Sequence, residues 1–515
     1  MKLFNKVPRP NSIVLLLLAV VSTLVSCDKD FLDRAPQGQY TQDNYPYPGG
    51  SGPYDQYIFG AYSSLRDFNV HSQSFIAITS IRSDDADKGS TPADGGANAI
   101  DMDNFPVAVN NGFANAMWTG YFNLVNKANI VLDQVANNEA IVATPEIKVQ
   151  SEAEAKFIRA YAYFMLVRVF GQVPLIDQVF ADPAAQANVP QSSPEQVYAL
   201  IESDLKFAAA SLPMSWSPAF VGRATSGAAN GLLAKVYLTQ RKWAPALAAA
   251  NAVITSGQYS LNPSYDRLFR EEGENSSESV FEVQATSSPA FPDANGVQYA
   301  QVQGVRGTGT WDLGWGWNTP SENLEAAYEP GDPRRTRTIL YTSKTTSPTE
   351  GLTIYGEKTP LGLPNPRYNH KVYTNPARRA AVNNRFGHWF NVRVLRYADV
   401  LLMYAEAANE LGNTAEALAK LEMVRARARA GNSSILPPIT TTNQAELREA
   451  IRHERRVELA MEHDRFFDLV RWGIAGPVLR AAGKTNFNEN RDILLPIPQT
   501  QIDLSKGVLK QNPGY

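Results

Sequence analysis

Two stretches far apart in this chain repeat one helix-pair pattern, and that repetition limits the fold more than any other feature. In Gly227 to Gly257, Leu233, Ala234 and Tyr237 fall on a first helix and Ala246, Ala250 and Val253 on a second. In Tyr397 to Ala430 the corresponding residues are Tyr404, Ala405 and Ala408, then Ala417, Leu421 and Val424. Ala234 to Ala246 and Ala405 to Ala417 are equally spaced. Small residues where paired helices cross let the backbones approach, and a lone helical hairpin cannot bury its apolar face. The two pairs are therefore predicted to stack on each other. The stretch Tyr259 to Val392 must then leave the scaffold and return to it.

Two further helices agree with this plan. One is predicted to open at Ser151, with Glu154 completing a capping box, to carry Phe157, Ala160, Tyr161, Phe164 and Val167 at helical spacing, and to stop at Gly171 and Pro174. An earlier run, Met117 to Val135, places Met117, Tyr121, Leu124, Ala128 and Leu132 on one face and is expected to pack against it. Helix pairs with small crossing residues are the design of tetratricopeptide repeats, whose period is about 34 residues. The fold class is read as mainly α: a tetratricopeptide-like helix-pair scaffold carrying an irregular, loop-rich ligand-binding region with few short strands, Ser279 to Val283 among them. A chain of 515 residues exceeds the size at which one compact core stops growing, so either several domains or an extended helical scaffold is expected. Long ordered loops are usually functional, so binding is expected in Tyr259 to Val392 and in the similarly irregular Tyr40 to Asn115.

The N-terminus reads as an address. Lys2, Lys6 and Arg9 precede an apolar run from Ile13 to Val21, which is too short to span a bilayer. Leu24-Val25-Ser26-Cys27 follows and resembles a bacterial lipobox, in which the thiol is acylated. Cys27 is the single cysteine of the chain, so no intrachain disulfide is available. Cys27 is read as a lipid anchor, and Asp28 to Gly52, rich in Pro, Gly and Tyr, as its tether. A net charge of -3 with 19% charged residues offers no bulk attraction to nucleic acid.

Candidate chemistry is sparse. His453-Glu454 begins like the zinc motif H-E-x-x-H, but the second histidine position is Val457. Glu454, Glu458 and Glu462 share a helical face and repel one another unless cations answer them; Arg455, Arg465, Arg471, Arg425, Arg427 and Arg429 are the nearby candidates for an ion-pair lock. Asp84, Asp85 and Asp87 form the acidic cluster of an irregular segment. Such a cluster reads as a solvated turn, an N-cap or a cation loop before it reads as an acid/base pair, and Asp85 is kept as a ligand contact. No cofactor and no metal are predicted. The informative run is Gly309-Thr310-Trp311-Asp312-Leu313-Gly314-Trp315-Gly316-Trp317-Asn318, where large rings alternate with glycines. The glycines suggest a flexible, exposed loop, Trp315 and Trp317 would share a face if extended, and indoles offer flat π surfaces to sugar C-H groups. Trp311, Trp315, Trp317, Asp312 and Asn318 are therefore the candidate ligand-binding residues.

Three blocks then point one way. Glu154-Ala155-Lys156-Phe157-Ile158-Arg159-Ala160-Tyr161 running to Phe170-Gly171-Gln172-Val173-Pro174-Leu175, Leu395-Arg396-Tyr397-Ala398-Asp399-Val400 running to Ala407, and Glu454-Arg455-Arg456-Val457-Glu458-Leu459 running to Trp472-Gly473 resemble the SusD/RagB family of outer-membrane nutrient-binding lipoproteins. The resemblance extends from the lipobox to Gln511-Asn512-Pro513-Gly514-Tyr515 and is weakest in the central excursion. It implies a protein that is not an enzyme: a cell-surface lipoprotein of the outer membrane that captures a glycan and delivers it to a TonB-dependent, SusC-like barrel. Some family members capture peptides instead, and a glycan-cleaving enzyme is a third class. The implied organisation is a signal peptide (1–26), an anchor and tether (27–52), an N-terminal helical part (53–258), a ligand-binding excursion (259–393) and a C-terminal helical part (394–515).

Overall fold

A computed structural model describes residues 52–515 apart from 263, 292, 294 and 343–350, without the side chains of 183 and 184. The signal peptide, Cys27 and all of the tether but Gly52 lie outside the described residues. The scaffold helices are α1 (Asp55–Ser64), α2 (Gly112–Asn137), α3 (Pro145–Phe170), α4 (Pro194–Ser211), α5 (Ser226–Thr239), α6 (Trp243–Thr255), α7 (Tyr397–Glu410), α8 (Thr414–Arg429), α9 (Gln444–Leu459) and α10 (Arg465–Trp472). Neighbours in this series pack on one another from α1 to α9, including α6 on α7 across the excursion. The two predicted pairs, α5/α6 and α7/α8, thus meet in space. Ala234, Ala250, Ala405, Ala408 and Ala417 are fully buried, which is why small residues stand at the crossings. The fold is mainly α.

Helix α3 begins earlier than its Ser151 capping box suggested. The Thr144 side chain accepts from the Ile147 amide and Pro145 takes the first helical position, so the helix starts there and Ser151 lies inside it. From Ser151 onward α3 is buried nearly all round, with α2 and α4 both packed along it. Its polar groups are matched: Arg159 donates to both carboxylate oxygens of Asp204 (2.8 and 2.9 Å), and Glu154 accepts from Arg223 (2.9 and 2.5 Å) and Tyr62 (2.9 Å). Gly120 lets α2 approach the Asn69 carbonyl so closely that a Cβ would sit 2.5 Å from its oxygen.

Strands occur as two-stranded antiparallel ladders: β1 (Ala86–Gly89) with β5 (Trp317–Pro320), β2 (Val173–Pro174) with β3 (Gln191–Ser192), β4 (Ser279–Val283) with β8 (Val392–Arg396), and β6 (Ile339–Tyr341) with β7 (Arg367–Asn369). The β4/β8 ladder joins the departing and returning ends of the excursion. Ion pairs fasten it further. Glu458 on α9 accepts from Arg427 of α8 (2.6 Å), from Arg396 of β8 (3.1 Å) and from Arg334 of the excursion (3.1 Å). Glu454 takes Arg334 and Arg425, and Glu462 takes Arg396 and Lys371. Of the cations expected around these glutamates, Arg425 and Arg427 take part. Arg455 turns instead to Asp399 and Asp468, Arg465 to Asp84, Arg471 to Glu406, and Arg429 to Glu422. Burial pushes the Glu458 carboxyl up, but Arg427, Arg396 and Arg334 together outweigh it and hold the group far below the usual carboxylate range.

Candidate ligand-binding cleft

The run from Thr308 to Gly316 folds back on the short helix Tyr299–Gln303 and the residues after it. The Leu313 amide donates to the Val305 carbonyl (3.0 Å), Trp315 to Gln301 (2.9 Å) and Gly316 to Gly304 (2.9 Å), leaving Gly309 and Thr310 at an exposed tip. Facing it is the helix Pro376–Ala381, whose N-cap Asn375 accepts from the Ala377 and Arg378 amides. The turn after that helix, Asn383 to Phe386, is shaped by Asn384, which accepts from the Phe386 amide (2.9 Å) and donates to Asp293 (2.9 Å). Between these walls lies an open cleft of about 570 Å³, lined by Leu313, Thr310, Asn383, Phe386 and the charged groups described below. Its size falls in the range usual for small-ligand sites. The scaffold carries another groove, of about 500 Å³, but Trp118, Phe122, Leu504 and Leu509 line it and no charged group does.

The described lining sets one aromatic ring, Phe386, among polar and charged groups. Phe386 is half-buried, stacks on His388 at 5.9 Å and 22°, and has the Arg385 guanidinium 4.6 Å from its ring centre. His388 bridges Asp293 (2.7 Å) and Gln301 (2.8 Å). Arg385 reaches across to Asp312 at 2.8 Å and joins the two walls. Behind the cleft Trp311 lies 6.1 Å from Tyr373 in a satellite core with Val305, Leu313, Leu340, Leu363 and Tyr368. The Tyr373 hydroxyl donates to Glu357 (2.6 Å), fixing a carboxylate at the rim. Such a surface can hold an apolar ring face while exchanging hydrogen bonds at its edge.

The six candidate residues do not form one patch. Neither Trp311 nor Asp312 lines the cleft: Trp311 packs behind it and Asp312 adjoins it through its pair with Arg385, while Trp315 is half-buried with its ring edge-on to the exposed Phe68 at 6.4 Å. Trp317 is 3% exposed: it belongs to β5, meets Phe113 edge-on at 5.9 Å, and lies where a Cβ on Gly95 would come within 2.3 Å of its ring. Asn318 is fully buried and donates to Gln303 (2.7 Å). Asp85 is buried and holds Arg456 (2.8 Å), while Asp84 holds Arg465, so neither meets ligand or forms an acid/base pair. Trp317, Asn318 and Asp85 are therefore corrected from ligand contacts to structural residues. The reason lies in the glycines. Gly314 sits where a Cβ would be 2.2 Å from the Gln301 carbonyl, and Gly316 has φ +72°, so these glycines serve close backbone packing, not exposure. Phe386, Arg385 and Asn383 escaped notice in the sequence. The Asn383-Asn384-Arg385-Phe386-Gly387 turn is their signal.

Among the described residues no three His, Cys, Asp or Glu side chains converge as a metal would require, and no helix is long and apolar enough to cross a membrane. Residues 251–515 match the family model described as the SusD family, and residues 55–238 match one described as "Starch-binding associating with outer membrane". A SusD-like protein P2 from Formosa agariphila is 30% identical, over 97% of this chain and 98% of its own. A laminarin-binding SusD-like protein of known structure is 28% identical with a TM-score of 0.74, covering 90% of this chain and 99% of that one. Surface glycan-binding protein A from Bacteroides fluxus is 26% identical with a TM-score of 0.75, covering 91% and 100%. Two of these relatives are named for binding laminarin or glycan, and the chain belongs to the SusD/RagB family.

Proposed function

We propose that the chain is a cell-surface glycan-binding protein and that the cleft between Gly309–Leu313 and Pro376–Phe386 is where glycan binds. The observation that carries this reading is the cleft itself: an open channel with a stacked aromatic ring, Phe386, between amide and carboxylate groups, borne by the loops of a helical scaffold whose relatives include a laminarin-binding protein. Hydroxyl groups of a sugar exchange hydrogen bonds with Asn383, Thr310 and Asp312, and its C-H face lies on Phe386, with Trp311 supporting the wall. Trp315, beside the exposed Phe68, is a second platform for the same ligand class. No catalytic step is assigned. Calorimetric titration of the purified protein against polysaccharides and peptides tests the reading. Binding of a glycan supports it, and binding of peptides alone moves the protein to the peptide-capturing branch.

The remaining assignments follow the family. Cys27 carries the lipid that holds the protein on the outer membrane facing the exterior, and the captured glycan passes to a TonB-dependent, SusC-like barrel. Labelled palmitate is expected to enter the wild-type protein in its host and not the Cys27→Ala variant. Extraction in mild detergent is expected to bring a large barrel protein along with it.

A further inference from the structure

Among the described residues the charges of the cleft are answered from within the molecule. Four charged side chains of those residues line it: Asp293, Glu357, Arg379 and Arg385. Arg379 is buried, donates to the Thr374 carbonyl (3.1 Å) and the Tyr373 hydroxyl (3.3 Å), and lies 3.6 Å from Glu357. Asp293 is held by Asn384 and His388. Among the described lining residues Arg385 is the one exposed cation, and Asp312 on the opposite wall pairs with it at 2.8 Å. With Asp312 counted, three carboxylates face two guanidinium groups.

We infer that the cleft selects an uncharged glycan and that Asp312 sets this selectivity by neutralising Arg385. The inference rests on the glycan-binding reading of the cleft. An anionic polysaccharide, whether uronate or sulfate ester, needs a free cation where it docks, and here it would have to displace Asp312 from Arg385 and then lie beside the displaced carboxylate. A neutral chain meets hydrogen-bonding groups, the apolar Leu313, Pro376 and Ala380, and the Phe386 ring. Removing the Asp312 charge should leave Arg385 free and open the cleft to anions.

The test uses the full mature chain in detergent, titrated with an uncharged panel (laminarin, starch, galactomannan) and an anionic panel (alginate, dextran sulfate) at low and high NaCl. Wild type is expected to bind a member of the uncharged panel with an affinity that salt leaves unchanged, and to ignore the anionic panel. Asp312→Asn is expected to gain about tenfold or more in affinity for an anionic polysaccharide, and high salt should erase the gain because an exposed ion pair is screened. Asp312→Glu should keep wild-type selectivity, and Asp312→Asn combined with Arg385→Gln should lose the gain. Salt-sensitive binding of alginate by wild type, or no gain in Asp312→Asn, overturns the inference while leaving the glycan-binding reading in place. Peptide binding with no response to any polysaccharide overturns that reading itself.

Discussion

The molecule uses arginine–carboxylate pairs in two settings, and the contrast between them separates what holds the fold from what meets ligand. Around Glu458 the carboxylates and guanidinium groups are buried, each shared among several partners contributed by α8, α9, β8 and the excursion. At the cleft, Arg385 and Asp312 form a single pair with side chains 56% and 38% exposed. Removing one member of a buried network strands the others in low dielectric, which costs about 3–5 kcal/mol. An exposed pair contributes about 0–1 kcal/mol to stability, so its charges are free to be used for selection. The first arrangement fixes where the excursion sits; the second tunes what it accepts.

Breaking the buried side should give the largest effects. Glu458→Ala leaves Arg334, Arg396 and Arg427 short of a counter-charge and is expected to cost about 4 kcal/mol in urea unfolding, if it folds at all. Trp317→Ala, which empties a packed site between Phe113 and Gly95, should cost about 3 kcal/mol. Simultaneous removal of Trp311, Trp315 and Trp317 should therefore melt the protein rather than simply silence binding.

A pH titration sharpens the comparison within the buried region. Burial lowers His71 and His370 to about 4 and His463 to about 3. His463 sits between the hydroxyls of Thr79 (3.0 Å) and Tyr299 (2.7 Å). An unfolded histidine titrates near about 6.5, so below that pH the unfolded chain takes up protons that the folded chain refuses, and stability falls as the medium acidifies. Asp55 and Glu274, pushed up by burial to about 6 and about 7, act in the opposite sense, because the folded chain keeps their protons and loses that contribution as pH rises. His463→Gln isolates one histidine. Between pH 6.5 and 4 this variant should lose less stability than wild type, by about 1.4 kcal/mol for each pH unit. Parallel pH curves for the two proteins would count against a neutral, buried His463. At the exposed end, Arg385→Gln should change unfolding stability by about 0.5 kcal/mol or less.

The helical scaffold was legible because its rules are periodic and local. Ala234, Ala246, Ala405 and Ala417 mark crossings whatever surrounds them, and Ser279 to Val283 reads as a strand that the structure pairs with Val392–Arg396. The start of α3 was missed because two adjacent cap signals, Thr144-Pro145 and Ser151 with Glu154, compete, and only tertiary packing decides between them. The site was half-legible. The excursion was recognisable by composition, whereas of its candidate residues Asp312 only adjoins the cleft through Arg385 and Trp311 packs behind it. Which ring is buried depended on the register of β5 against β1 and on contacts of Gly95 and Gly314 with distant residues. Phe386 gave no periodic signal, since it reaches the cleft from a turn whose shape is set by an Asn384–Asp293 hydrogen bond across the fold.

The most direct measurement is calorimetric titration of wild type and Phe386→Ala, side by side, with the glycan that wild type binds from an uncharged panel, accompanied by thermal melts. A half-buried ring removed from a turn should lower unfolding stability by about 1 kcal/mol or less, whereas losing the stacking platform of a binding site costs about 2 kcal/mol, near thirtyfold in affinity. The account predicts that thirtyfold loss with a nearly unchanged melt. Unchanged glycan affinity in a normally folded Phe386→Ala protein would contradict it and move the binding site away from this cleft.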